Sequence, residues 1–146
     1  MIYIGCDQGG LALKNELIPC LSARGLKFKD IGTFTAESVD YPDIAETLCR
    51  KISGQDDRGI LICGTGIGMS ISANKMPGIR AALCHDTYSA RMARAHNNAN
   101  VLVMGGRVIG PELAKEICGI FFSTGFDGGR HAVRVEKIMS LGSKNS

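Results

Sequence analysis

Five short apolar runs punctuate the chain, at Ile2–Cys6, Lys27–Ile31, Gly59–Cys63, Arg80–Cys84 and Val101–Gly105, each of the length expected for a strand. Longer stretches compatible with helix separate them, at Leu11–Arg24, Pro42–Ser53, Gly68–Lys75, Thr87–His96 and Pro111–Ser123. This alternation predicts a parallel sheet covered on both faces, the three-layer doubly wound α/β arrangement. Pro42 and Pro111 suit first helical positions, where a missing N–H costs nothing, and Asp86 suits the cap of the helix beginning at Thr87. Pro19 falls inside the first helical stretch, so a kink or a division is expected there. After the glycine-rich FDGGRH stretch, His131–Leu141 reads as a terminal helix, and LGSKNS at the very end as a frayed tail.

A chain of 146 residues, 45% hydrophobic and 21% charged, is expected to form one domain, 1–146, that buries its own core. No apolar stretch approaches the roughly 18 residues of a membrane span, and the N-terminus enters its first strand without a basic leader. The expectation is therefore a cytoplasmic protein with no membrane partner. A net charge of +3 and 5% aromatic residues without Trp do not suggest a nucleic-acid surface. The six cysteines are scattered singly with no Cys-x-x-Cys pair, which favours free thiols over a zinc or redox site.

In a doubly wound sheet, ligands settle beyond the carboxyl ends of the strands, so the residues following each strand are the candidates. The first strand runs into Cys6-Asp7-Gln8-Gly9-Gly10. Asp7 there either binds sugar hydroxyls or caps the first helix. The third strand runs into Cys63-Gly64-Thr65-Gly66-Ile67-Gly68, a loop whose alternating glycines can present backbone N–H groups to an anion. Lys75 comes too late for a Walker loop. A thiol placed directly before such donors is favoured as thiolate, making Cys63 a candidate base or nucleophile; the structural alternative is a packed cysteine at a strand end. His96 ends the fourth helical stretch within Arg94-Ala95-His96-Asn97-Asn98, a polar cluster suited to a helix finishing at a cleft. It is an acid–base candidate, or else a histidine that complements the helix dipole. His85 and His131 rank below it. Arg107 follows the fifth strand, while Arg130 and Arg134 lie one helical turn apart and can aim at one phosphate, unless they only form a solvated basic face.

Taken together, GCDQGG with Leu13-Lys14, SVDYPD, ILICGTGIGMSISANK, RAHNNANVLVMGGRVIG and GGRHAVRV make the chain resemble ribose-5-phosphate isomerase of type B, within the group that also contains galactose-6-phosphate isomerase subunits. The resemblance runs nearly the whole length. It implies a flavodoxin-like Rossmann fold of five parallel strands with a C-terminal helix, and a homodimer or tetramer with active sites at the subunit interface. It also implies no metal and no organic cofactor. By the same resemblance Cys63 abstracts the proton, His96 assists ring opening, Thr65 sits by the base, and the loop Gly64, Thr65, Gly66, Ile67 and Gly68 holds the enediolate. Asp7 and Asn97 contact sugar oxygens, Tyr41 walls the pocket, and Arg107, Arg130 and Arg134 bind phosphate, some of them from the partner subunit. The family's first loop usually reads Cys-Asp-His-Gly-Gly, whereas Gln8 stands here, able to donate a hydrogen bond to substrate but not to carry charge.

The expected function is interconversion of ribose 5-phosphate and ribulose 5-phosphate, in the pentose phosphate pathway. Gln8 keeps open another phosphorylated aldose or ketose, such as allose 6-phosphate. A non-catalytic sugar-phosphate-binding module on the same fold is the alternative from a different class.

Overall fold

The computed structural model describes residues 1–142. Strands β1 (Ile2–Cys6), β2 (Phe28–Gly32), β3 (Arg58–Cys63), β4 (Ala81–Leu83) and β5 (Val101–Gly105) alternate with helices α1 (Leu11–Ala23), α2 (Tyr41–Lys51), α3 (Ile67–Ala73), α4 (Thr87–Ala95) and α5 (Pro111–Ser123). Helix α6 (Arg130–Ser140) closes the chain. Every predicted element is present within a few residues of its expected ends; of the tail expected to fray from Leu141, residues 143–146 lie outside the described residues.

All strand pairings are parallel, in the order β2-β1-β3-β5-β4. The order reverses between β1 and β3, so the crevice of a doubly wound sheet opens where Cys6-Asp7 and Cys63-Gly64 emerge. The last two strands are exchanged relative to the simple flavodoxin order: β4 takes the edge and β5 is inserted beside β3.

Alternation along the strands builds the two cores. Ile4, Ile60, Ile62, Leu102 and Met104 face α1, α4 and α5, meeting Leu17, Leu21, Ile117 and Phe121. Leu61, Cys63, Val101 and Val103 face α2 and α3, meeting Leu48 and Met69. Each fully buried Leu or Ile contributes about 2 kcal/mol of apolar burial.

Pro19 does not divide α1, which runs unbroken from Leu11 to Ala23. Pro19 and Asn15, the residue whose carbonyl loses its partner, both lie on the exposed side of the helix, where water replaces the missing bond. One turn earlier, Lys14 is wholly buried: its ammonium donates to Asp30 Oδ1 at 2.8 Å and to the Thr33 carbonyl at 2.5 Å, with the Phe34 ring 4.7 Å away. This cation pins the end of β2 to α1. Helix α6 leans on the sheet edge more lightly, burying Val135 and receiving Arg80 Nη1 at the Met139 sulfur, 3.5 Å apart. Among the described residues no helix is long and apolar enough to cross a membrane.

Candidate active site

At the carboxyl end of the sheet three glycine turns meet. Asp7 is buried and its Oδ1 accepts the N–H groups of Gly9 (2.9 Å) and Gly10 (3.2 Å), so that oxygen organises the turn into α1. Gly9 lies against Gly64, and the carbonyl of Gly9 against Gly106, which brings the loops after β1, β3 and β5 into direct contact. The Gly106 and Arg107 amides donate to the carbonyls of Cys63 (2.8 Å) and Gly64 (3.0 Å).

Cys63 lies on the α2/α3 face of the central strand, 4% exposed, and its sulfur accepts the N–H of Gly66 at 3.2 Å. Gly66 has φ +80°, a conformation that bends the backbone around the sulfur and that a side chain disfavours. Thr65 is exposed at the mouth and its hydroxyl accepts the Ile67 N–H at 3.2 Å. The amides of Gly68 and Met69 open α3 without intrahelical partners. The Tyr41 ring, at the start of α2, packs directly on Gly68 and leaves no room for a Cβ there. The Arg107 guanidinium borders Gly64, with Nη1 about where a methyl group on Gly64 would touch it, at 3.3 Å. Gln8 spends its side-chain oxygen on the Val39 N–H (3.0 Å), tying the stretch before Tyr41 to the β1 turn.

The surroundings of Cys63 differ from those of the other buried thiols. Burial pushes Cys49 up to about 11, and Cys6 and Cys84 to about 11 with smaller electrostatic contributions. Cys118, deepest in the core, is pushed to about 12. Among the described residues none donates a backbone N–H to any of these four, whereas Gly66 donates one to Cys63.

The remaining predicted residues stand at the other end of the sheet. In the ladder Gly59 pairs with Val101 and Cys63 with Gly105, so the segment leading into β5 is separated from Cys63 by about 13 Å of strand. His96 and Asn97 belong to that segment, so the helix they terminate finishes at the amino end of the sheet, away from the Cys63 crevice. Asn97 borders a cavity of about 920 Å³ between the start of β4 and α6, shared with Met76, Arg80, Ile138 and Met139. The imidazole of His96 stacks on that of His131, with centroids 4.1 Å apart and planes 8° from parallel. Its Nε2 lies 3.9 Å from Asp127 Oδ2. Arg130 and Arg134 share the first turns of α6, a helix start that carries no acidic residue. The His131 pKa is drawn below its usual value by desolvation and then by His96, Arg130 and Arg134, with Asp127 opposing.

A single chain thus brings together Asp7, Gln8, Tyr41, Cys63, Thr65 and Arg107, and separately His96, Asp127, Arg130, His131 and Arg134. The ligand atoms of His96, Asp127 and His131 lie within 4.8 Å of one another, close enough to consider a metal, but the two neighbouring guanidinium groups oppose a cation there. Sequence reasoning ranked His131 low and did not consider Asp127, although the glycine pair that follows Asp127 was the available signal. His85, also ranked low, accepts the Gly105 N–H through Nε2 at 2.9 Å and so braces the end of β5.

Residues 2–138 match the family model described as Ribose/Galactose Isomerase. The chain is 54% identical over 139 residues to the D-erythrulose-4-phosphate isomerase of Pectobacterium atrosepticum, covering 94% of this chain and 91% of that one. It is 47% identical over 141 residues to ribose-5-phosphate isomerase B of Escherichia coli, covering 96% and 95%. The solved structure of Clostridium thermocellum ribose-5-phosphate isomerase B superposes with a TM-score of 0.95 at 51% identity, over 99% of both chains.

Proposed function

From the premise that this chain belongs to the ribose/galactose isomerase family and is a sugar-phosphate isomerase, we propose that it interconverts ribose 5-phosphate and ribulose 5-phosphate with Cys63 as the base. The observation that carries this reading is the thiol at the end of the central strand, holding a main-chain N–H from the glycine loop.

Hydrogen next to a carbonyl is weakly acidic, so the base must be matched by donors that receive the negative oxygen as it forms. Thiolate Cys63 takes the C2 hydrogen of the aldose, and the amides at the start of α3, with Thr65 beside them, hold the enediolate. One well-aimed donor of this kind lowers a barrier by about 3 kcal/mol. The thiol then returns the proton at C1. His96 exchanges the proton that opens the furanose, Asp7 and Asn97 bind sugar oxygens, and Tyr41 walls the pocket. The phosphate lies against Arg107, Arg130 and Arg134. A helix that opens with two arginines and a histidine and no acid is electrostatically poor until an anion joins it. No step asks for a metal or an organic cofactor.

Because the two residue groups lie at opposite ends of one sheet, each catalytic centre is built from two copies, the Cys63 end of one facing the His96 end of another. Exposed Ile67, Ile71, Leu83 and Tyr88, grouped around the sheet edge at β4, supply an apolar surface for that association. The test is complementation. Cys63→Ala and His96→Ala chains, each inactive alone, are mixed after dissociation. A twofold arrangement with shared centres recovers about a quarter of wild-type activity, since half the dimers carry one intact centre. No recovery sinks the shared centre.

A second reading is favoured by the relative acting on a tetrose phosphate. A 4-phosphorylated tetrose has no free hydroxyl with which to form a furanose, so it leaves His96 without a ring to open. Turnover of ribose 5-phosphate, allose 6-phosphate and erythrulose 4-phosphate, measured side by side, separates these substrates, and binding without solvent exchange of the C2 hydrogen would indicate a non-catalytic module.

A further inference from the structure

The stretch Phe126-Asp127-Gly128-Gly129-Arg130-His131 brings three groups onto one imidazole. The Asp127 amide donates to the Ala95 carbonyl at 2.9 Å, fixing its backbone beside the end of α4. Gly128 and Gly129 follow with φ +69° and +57°, both in the range that favours glycine, and reverse the chain so that α6 begins over the same spot. His131 consequently lies flat on one face of His96, while the Asp127 carboxylate stands at its Nε2 edge. The charged and titratable groups around this ring are Asp127 from the connector and His131 with Arg130 and Arg134 from α6, while Arg94 of its own helix is buried and turned to Asn98 and the Ala99 carbonyl. Asp127 is the one acid among them.

The geometry points to Asp127 as a positioning residue for His96: its carboxylate takes the Nε2–H, fixing the ring's tautomer and leaving Nδ1 to exchange the proton with the sugar ring oxygen. This rests on the reading of His96 as the ring-opening group. The 3.9 Å separation is longer than a hydrogen bond, but both side chains are well exposed, at 40% and 59%, and free to close by rotation. Hydrogen bonds of this kind commonly tighten only when substrate is bound. His131, held toward its neutral form, serves as a platform on which the imidazole can lie flat without facing a second positive charge. Proton traffic stays balanced: Nδ1, unprotonated in this tautomer, takes the proton of the hydroxyl at the anomeric carbon as the carbonyl forms and passes it to the ring oxygen as the ring C–O bond breaks.

The experiment uses the full-length enzyme and Asp127→Asn, Asp127→Glu and His96→Ala variants. Nitrogen NMR of ¹⁵N-imidazole-labelled protein is expected to show neutral His96 as the Nε2–H form in wild type and as a mixture of tautomers in Asp127→Asn. Turnover of ribose 5-phosphate, which is cyclic, is expected to fall about tenfold in Asp127→Asn with KM changed less than about twofold, and to recover in Asp127→Glu. Solvent exchange at C1 of ribulose 5-phosphate, whose O5 is esterified so that no furanose forms, is expected to stay at the wild-type rate. An identical tautomer distribution in wild type and Asp127→Asn overturns the assignment, as does equal slowing of turnover and exchange. If instead His96→Ala slows both reactions equally, the ring-opening role falls, while the nitrogen spectra still decide whether Asp127 orients His96.

Discussion

The two ends of the sheet are chemically unlike, although one chain of repeating strand–helix units makes both. At the carboxyl end the turns after β1, β3 and β5 are glycine-rich, and main-chain N–H groups do the binding, to Asp7, to the Cys63 sulfur and to one another's carbonyls. At the amino end long cations do it. Arg94 is buried and donates to Asn98 Oδ1 and the Ala99 carbonyl, and burial followed by Arg58 and Arg80 brings it down to about 10. Arg80 donates through Nε to the Asn98 carbonyl. The difference follows from helix direction. Helices α1 to α5 present N–H groups at one end and carbonyls at the other, so donors gather where carbonyls need them. Helix α6 departs from this rule, opening beside the end of α4 with cations at its own N-terminus. An oxyanion suits both places, and the proposed mechanism assigns the enediolate to one and the phosphate to the other.

The largest effect that can break this comparison is at Cys63. Cys63→Ala should reduce turnover by at least about a thousandfold while substrate still binds, read by steady-state kinetics beside ligand-induced thermal shift; normal turnover removes the thiol from the chemistry. Arg134→Ala should raise KM about tenfold or more with a smaller change in kcat, and an unchanged KM means the phosphate lies elsewhere. Lys14→Ala belongs to neither end's chemistry and should cost roughly 3 kcal/mol of stability, since it leaves Asp30 and the Thr33 carbonyl without their cation; denaturant unfolding measures it. The smallest effect is at the start of α4. Asp86 caps that helix through the Ser89 N–H at 2.6 Å, and this bond holds its carboxyl below the ordinary 3.8. The depressed value means that stability from Asp86 is present above about pH 4 and is lost as pH falls through the folded value. Asp86→Ala should therefore lower Tm slightly at pH 7 and make no difference in strong acid; a gap that persists there contradicts the cap.

Hydrophobic periodicity was enough to read the sheet, the helices and the strand-end position of Cys63, because each depends on short-range pattern and on the rule that ligands sit at strand ends. Of the kink or division expected at Pro19 the division does not occur, because its effect depends on which side of α1 the residue occupies, and that is settled by packing. The separation of His96 from Cys63 was legible in principle from the parallel topology, since a crossover helix that leaves the carboxyl end must return to the amino end. The pairing of Asp127 with His96 left only the glycine pair after Asp127 as a mark in the sequence, because it depends on a chain reversal that carries no periodic signal. Gln8 shows the same limit. Its side-chain oxygen is engaged by Val39 within the chain, a contact across 31 residues that no local motif announces.

The stretch between β2 and α2 is fastened at both sides, by the Lys14 ammonium at the Thr33 carbonyl and by the Gln8 amide at Val39, while residues 34–38 between these points are exposed. A segment clamped at its roots can be lengthened, shortened or rewritten at small entropic cost without disturbing what lies beyond the clamps. This surface arch is accordingly where new variation can accumulate around the entrance while the chemistry beneath it is left alone.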